Sequence, residues 1–197
     1  MDRFNQCFEF IKKMEGGYNC VKGDTGGQTI FGIAQAFNSD LLVWGEILGQ
    51  FGGEIRTMLN QGKSISGNSP LARKITAWVA ARPDLMSEIK ACYYHRYWIP
   101  SCAYCFDAPI DILLMDGYFN MGIGAKKLIQ EWAGVPADGI IGKQSRAAIR
   151  ACKKDPAELI MMRWEYYQTR PAFARFGRGW KSRLIELAKF CKIWVDL

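Results

Sequence analysis

The sequence predicts a mainly α, α+β fold: a helical bundle with a small β-ribbon after the first helix. Three observations lead there. Phe4, Phe8, Ile11 and Glu15 recur at spacings of four, three and four, which is one stripe of an amphipathic helix. Residues 17–33 then lose that period and read as two β-prone runs, GYNCV and QTIFGI, separated by KGDTGG. The second half returns to helical periodicity in five successive segments.

Taken in order, the first helix carries Glu15 at its end, on the stripe that faces the core, and Gly16 supplies the stop. A carboxyl group set against apolar surface is disfavoured in its charged form, the condition under which a glutamate can serve as a general acid near neutral pH. The ribbon that follows places Asp24 in its turn and Thr29 on its return strand. Residues 38–70, with GQFGGE and NQGKSISGNSP, read as short helices joined by loops. Helical pattern resumes at Leu71, and Pro83 suits the first turn of the next helix, with Leu85, Ile89 and Cys92 inward. IPSCAYCFDAP reads as a linker. DILLMDGYFNMG forms one helix ending near Gly122, and AKKLIQEWAG another, with Leu128, Ile129 and Trp132 on one side. VPADGIIGKQS is a turn-rich loop before RAAIRACKK. Asp155 caps the next helix, with Pro156 in its first turn and Glu158 as capping-box partner. GWKSRLIELAKFCKIW closes the chain as an amphipathic helix. The expected organisation is a first lobe over residues 1–105 and a second over 106–197, packed together because no flexible linker separates them.

The bulk numbers narrow the function. A chain of 197 residues with 49% hydrophobic and 23% charged content suits one domain, or a domain with a small second lobe. No apolar run approaches the roughly 18 residues of a membrane span, so no stable membrane insertion is expected. The start, MDRFNQCFEFIKKME, is amphipathic and lacks the basic stretch and apolar block of a secretory signal. Synthesis in the cytoplasm is therefore expected, with release depending on another factor. The net charge is +7: residues 1–105 hold 11 Lys+Arg against 9 Asp+Glu, and residues 106–197 hold 15 against 10, leaving +2 and +5. A basic surface attracts polyanions, whether nucleic acid, anionic wall polymer or membrane, and charge does not choose among them. No nucleic-acid motif accompanies the charge. Of seven cysteines, Cys102 and Cys105 form a CxxC, but the sole histidine, His95, supplies no second ligand pair, so reduced, buried thiols are expected and no metal. His95 itself reads as structural.

The stretch EGGY…DTGGQTIFGI resembles the signature of glycoside hydrolase family 108, the peptidoglycan-cleaving muramidases. The matching residues are Glu15, Gly16, Gly17, Tyr18, Asp24, Gly26, Gly27, Thr29, Gly32 and Ile33. The YW at 97–98 and YFNMG at 118–122 are similar to further family landmarks, as is RWEYY…FGRGWKSR near the C-terminal end. GVPADGIIGKQSRAAI, residues 134–149, is similar to small helical peptidoglycan-binding modules. The resemblance spans most of the chain except about residues 38–80. It implies a lysozyme-like fold and hydrolysis of the β-1,4 bond between N-acetylmuramic acid and N-acetylglucosamine. In that reaction Glu15 protonates the leaving oxygen while Asp24, with Thr29, orients water, and no metal or organic cofactor is needed. Tyr18, Tyr118 and Asn120 are then expected to line the substrate cleft, and Lys143 and Arg146 to add substrate contacts. The implied partners are peptidoglycan glycan strands and peptide stems, not nucleic acid, with a holin or other export partner for delivery to the periplasm. Members of the family divide between phage-type lysis proteins and muramidases used to export toxins and other proteins.

Each residue also has a plainer reading. Glu15 could be a hydrogen-bonded helix-end residue, Asp24 an ordinary turn aspartate, Thr29 a strand residue, Tyr18 a packing residue and Asn120 a helix-end polar group. Two rival activities follow. A lytic transglycosylase needs one acid/base and no attacking water, which the Asp24–Thr29 pair argues against. A non-catalytic wall-binding protein could dispense with Glu15.

Overall fold

Helices dominate, and two of them, beginning at Pro70 and Pro156, start at a side-chain cap. The computed structural model describes residues 2–21 and 27–197. Asp24 and Gly26, both singled out in the sequence, lie outside the described residues. The chain divides into two compact units, Ile11–Tyr93 and Met1–Phe10 with Tyr94–Leu197.

The first helix, α1 (Arg3–Glu15), buries Phe4, Phe8 and Ile11 and leaves Glu15 half-buried. In the unit Ile11–Tyr93, three short strands follow: β1 (Asn19–Cys20), β2 (Gln28–Ile30) and β3 (Ile33–Ala34). They form an antiparallel sheet in the order β1-β2-β3, with Asn19 opposite Thr29 and Thr29 opposite Ala34. Three helices complete the unit, α2 (Leu42–Asn60), α3 (Pro70–Ala80) and α4 (Pro83–Tyr93). Ser69 caps α3 by accepting the Ala72 N–H, and Pro70 occupies the first turn, where its missing N–H costs nothing. The Glu88 carboxylate accepts the Leu42 and Val43 N–H groups and so caps α2 from another helix.

The glycine-rich run read as short helices and loops is one 19-residue helix, α2. Val43, Trp44, Ile47, Phe51 and Ile55 form its buried stripe, and burying that stripe outweighs four weak helix formers. Gly45, Gly49 and Gly53 sit on the exposed face, and a Cβ there would meet no atom within 4 Å. Each glycine costs roughly 0.8–1.0 kcal/mol relative to alanine in a helix interior. The triple change G45A/G49A/G53A should therefore stabilise the protein by roughly 2–3 kcal/mol. Urea unfolding measures this, and an unchanged or lower midpoint would refute a purely conformational cost.

In the other unit, a π-helical turn over Tyr94–Trp98 leads into the short α5 (Ile99–Ser101) and a 3₁₀ turn at Ala103–Cys105, so the expected linker is largely helical up to residue 105 and irregular only over 106–109. Then come α6 (Ile110–Met121), α7 (Ile123–Trp132), α8 (Lys143–Ala151), α9 (Pro156–Gln168) and α10 (Phe173–Cys191). Asp155 caps α9 by accepting the Ala157 N–H, with Pro156 next, but among the described residues no Glu158 side-chain bond completes a capping box. Helix α10 begins at Phe173, six residues before the GWKSR run, because the backbone N–H of Phe176 already reaches the Ala172 carbonyl.

Helix α6 is buried along most of its length, from Asp111 to Gly117. Two carboxylates inside it require partners. Asp111 pairs with both the Nε and Nη2 of Arg3 at the start of α1. Asp116, fully buried, accepts from Arg163 Nη1 on α9 at 2.7 Å and from Arg183 Nη2 on α10 at 2.6 Å. Burial opposes ionisation of Asp116, but the two guanidinium groups outweigh it and hold the carboxyl below the usual aspartate range. No helix among the described residues is long and apolar enough to cross a membrane. Cys7, Cys20 and Cys92 are buried, the other four cysteines are half-buried, and no disulfide joins the described cysteines.

Candidate active site

The last turn of α1 and the ribbon meet in the unit Ile11–Tyr93. Lys12 lies one turn before Glu15 on the same helix face. Its Nζ sits 5.9 Å from the centroid of the Phe31 ring, at the tip of the β2–β3 turn. The helix end bearing Glu15 thus runs beside the ribbon that carries Thr29.

The turn after Glu15 explains the double glycine. Gly16 has φ +74°, a left-handed conformation that glycine adopts without strain. Gly17 has a different reason: a Cβ there would lie 2.2 Å from Oγ1 of Thr76. That hydroxyl accepts the Tyr18 N–H at 2.8 Å and donates to the Ala72 carbonyl at 2.7 Å. Glycine at 17 lets the chain press against α3 and be tied to it directly after the acid.

Tyr18 corrects one expectation. Its side chain is fully buried and its hydroxyl donates to Gln28 Oε1 at 2.8 Å. Burial, with Cys20 close by, pushes the phenol up from its ordinary pKa. The ring packs beneath the sheet and offers no surface to a glycan, because the alternation of the ribbon puts Gln28 and Ile30 on that same buried side. The same alternation puts Thr29 on the opposite, partly open face, flanked by half-buried Asn19 and Ala34. Thr29 sits at the centre of the sheet, held by strands on both sides.

The β2–β3 turn is tight. Ile30 and Ile33 pair across two residues, Phe31 and Gly32, both with positive φ (47° and 76°). Such a turn matches strand twist and favours Asn-Gly, so a bulky Phe31 here is strained. The Tyr93 hydroxyl, at the end of α4, donates to the Phe31 carbonyl and helps hold it. Tyr93, Thr76 and Gln28 brace this region through hydrogen bonds that no sequence pattern revealed. Their partners lie 62, 58 and 10 residues away.

In the other unit, Tyr118 is half-buried and Asn120 is exposed at the end of α6. Asn120 Nδ2 donates to the Asp116 carbonyl at 2.7 Å, one turn back. Lys143 is exposed at the first residue of α8. Arg146, half-buried, turns toward Cys105, with Nη1 3.9 Å from its Sγ. The loop between α7 and α8 is organised by Gln130, which is fully buried. Its Nε2 lies within hydrogen-bond range of Asp138 Oδ1, Ser145 Oγ and the Ile140 carbonyl. Its Oε1 accepts the Gly139 N–H at 2.7 Å. Gly139 has φ +81°, and a Cβ there would lie 2.5 Å from Ile123. Among the described residues no group of three or more His, Cys, Asp or Glu side chains could hold a metal ion.

Comparison with known proteins places this geometry. No curated protein was found to match the sequence. The solved structure of Brucella abortus SagA is similar with a TM-score of 0.65 at 25% sequence identity, over 96% of this chain and 93% of SagA. The family description Glycosyl hydrolase 108 matches residues 8–122, a stretch that holds Glu15, Thr29, Tyr118 and Asn120. The chain therefore belongs to the glycosyl hydrolase 108 family and is a glycoside hydrolase directed at peptidoglycan.

Proposed function

We propose that this enzyme is an N-acetylmuramidase, cutting the β-1,4 bond between N-acetylmuramic acid and N-acetylglucosamine with Glu15 as general acid. Asp24 and Thr29 orient the attacking water. The observation that carries the reading is the meeting of the α1 end with the ribbon, Lys12 resting over Phe31 and Thr29 on the open face of β2. An acid on one element and a water-holding group on its neighbour is what glycoside hydrolysis through an oxocarbenium-like state requires. Lys143 and, through the α8 surface, Arg146 contribute to holding the polymer. The enzyme works on the wall in the periplasm, reached with the help of a holin or export partner.

The product ends decide the chemistry. Purified sacculi digested by the enzyme should yield fragments with free reducing N-acetylmuramic acid, identified by mass spectrometry. Fragments ending in 1,6-anhydro-N-acetylmuramic acid would instead establish a lytic transglycosylase, in which no water attacks. Free reducing N-acetylglucosamine would place the cut at the other glycosidic bond.

A further inference from the structure

We propose that a pocket between the end of α6 and the corner joining α9 to α10 binds a carboxylate carried on a peptidoglycan peptide stem, with Arg170 as its direct partner. The proposal rests on the peptidoglycan reading above and assigns a ligand group to a pocket that reading leaves unused. Asn120, Tyr166, Tyr167, Arg170 and Trp180 line a space of ≈ 450 Å³, enough for a few amino-acid residues.

Three features make this more than surface relief. The first is a fixed cation. The Arg170 guanidinium lies 5.2 Å from the Tyr166 ring centroid, and among the described residues no protein acceptor takes any of its N–H groups. A guanidinium resting over an aromatic ring keeps its N–H groups available to a bidentate acceptor. The second is a rigid wall. Tyr167 stacks on Trp180, with centroids 4.8 Å apart and planes at 28°. The Tyr167 hydroxyl accepts from Arg163 Nε at 2.9 Å, and Arg163 is anchored in turn by the buried Asp116. The wall is thus tied to the core of the unit. The third is a directed acceptor. The Asn120 amide nitrogen is committed to the Asp116 carbonyl, and no protein donor among the described residues reaches its Oδ1.

A planar cation, an aromatic wall and one amide-type acceptor select a ligand with a carboxylate, an apolar face and an N–H. A stem peptide has all three in its acidic side groups, its alkyl chains and its backbone. A chito-oligosaccharide has no carboxylate for Arg170, whereas muramic acid stripped of its stem keeps only the single carboxylate of its lactyl group. A charge-assisted fork of this kind is worth tenfold or more in affinity.

The test uses the disaccharide-tetrapeptide, which lacks the bond the enzyme is proposed to cut and so persists during calorimetric titration. Arg170→Ala should bind it at least tenfold more weakly than wild type, and Arg170→Lys, with the charge but not the fork, should fall between. The fragment with its carboxyl groups amidated should bind wild type as weakly as the intact fragment binds Arg170→Ala. Tyr166→Leu, which removes the platform, should weaken the intact fragment too. Arg170 is exposed, so its removal leaves the buried core untouched. Equal affinity of Arg170→Ala and wild type would overturn the proposal, as would no binding by wild type. An equal loss on a stem-free chito-oligosaccharide would also overturn it, because the pocket would then read sugar. Digestion of sacculi by wild type, run in parallel, separates the two readings: lysis with normal Arg170→Ala binding defeats only the pocket, and no lysis defeats the muramidase.

Discussion

Glu15→Gln is expected to fold as the wild type does and to lose lytic activity by roughly 10²–10⁴-fold, the range over which general acid–base catalysis contributes. The amide matches the carboxyl in size, so the half-buried helix end keeps its packing. Its carboxamide N–H is far too weak an acid to protonate a departing sugar oxygen. In the turn that follows, Gly16 supplies the left-handed geometry and Thr76 binds the Tyr18 N–H, and both are unchanged by the substitution. Clearing of a peptidoglycan suspension measures the rate, and thermal unfolding checks the fold. A variant that clears sacculi at close to the wild-type rate would remove Glu15 from the chemistry.

The largest effect on stability is expected at Asp116→Asn. Arg163 is 4% exposed and Arg183 8%, and both depend on this carboxylate. Asparagine keeps the volume but leaves two buried guanidinium groups facing each other without an anion. Breaking a buried pair by removing one partner costs about 3–5 kcal/mol. Urea unfolding should show a loss of that size, and a change below about 1 kcal/mol would mean that water reaches the arginines. The pH dependence has a definite sign. The folded carboxyl titrates below its unfolded value, so its contribution is complete above about pH 4 and is lost as pH falls through the folded pKa. The wild type should therefore weaken on acidification below about pH 4, and Asp116→Asn should show a flatter acid limb.

What could be read from the sequence was local. The α1 stripe, the Gly16 stop, the Asp155 cap and the inward Leu85, Ile89 and Cys92 depend on neighbours within a few residues, and all stand as expected. The order of a helix end followed at once by a short ribbon was legible for the same reason. Errors arose where tertiary burial overrode local preference. Four glycines concealed α2 because helix propensity is weaker than the burial of Trp44, Ile47 and Phe51. Tyr18 was placed in a cleft because its bond to Gln28 appears only when the strand register is known. The groups that brace each unit were invisible because their partners are remote: Asp116 finds Arg163 and Arg183 at separations of 47 and 67 residues. One sign was available, a charged residue inside the apolar run ILLMDGYF, which a buried helix tolerates only with a cationic partner.

Gln130 changes what counts as a movable part of this protein. The loop that resembles a wall-binding motif begins after Gly134, yet the amide that shapes it sits a turn earlier, on α7. Ile123, at the start of that helix, closes over Gly139. Grafting residues 134–149 alone onto another scaffold would carry the sequence of the motif without its mould. A transplant of 123–151, both helices with the loop between them, would bring the template along. For an engineer recombining wall-binding cassettes, the cut belongs before Ile123, where α7 begins, and not at the motif's own edge.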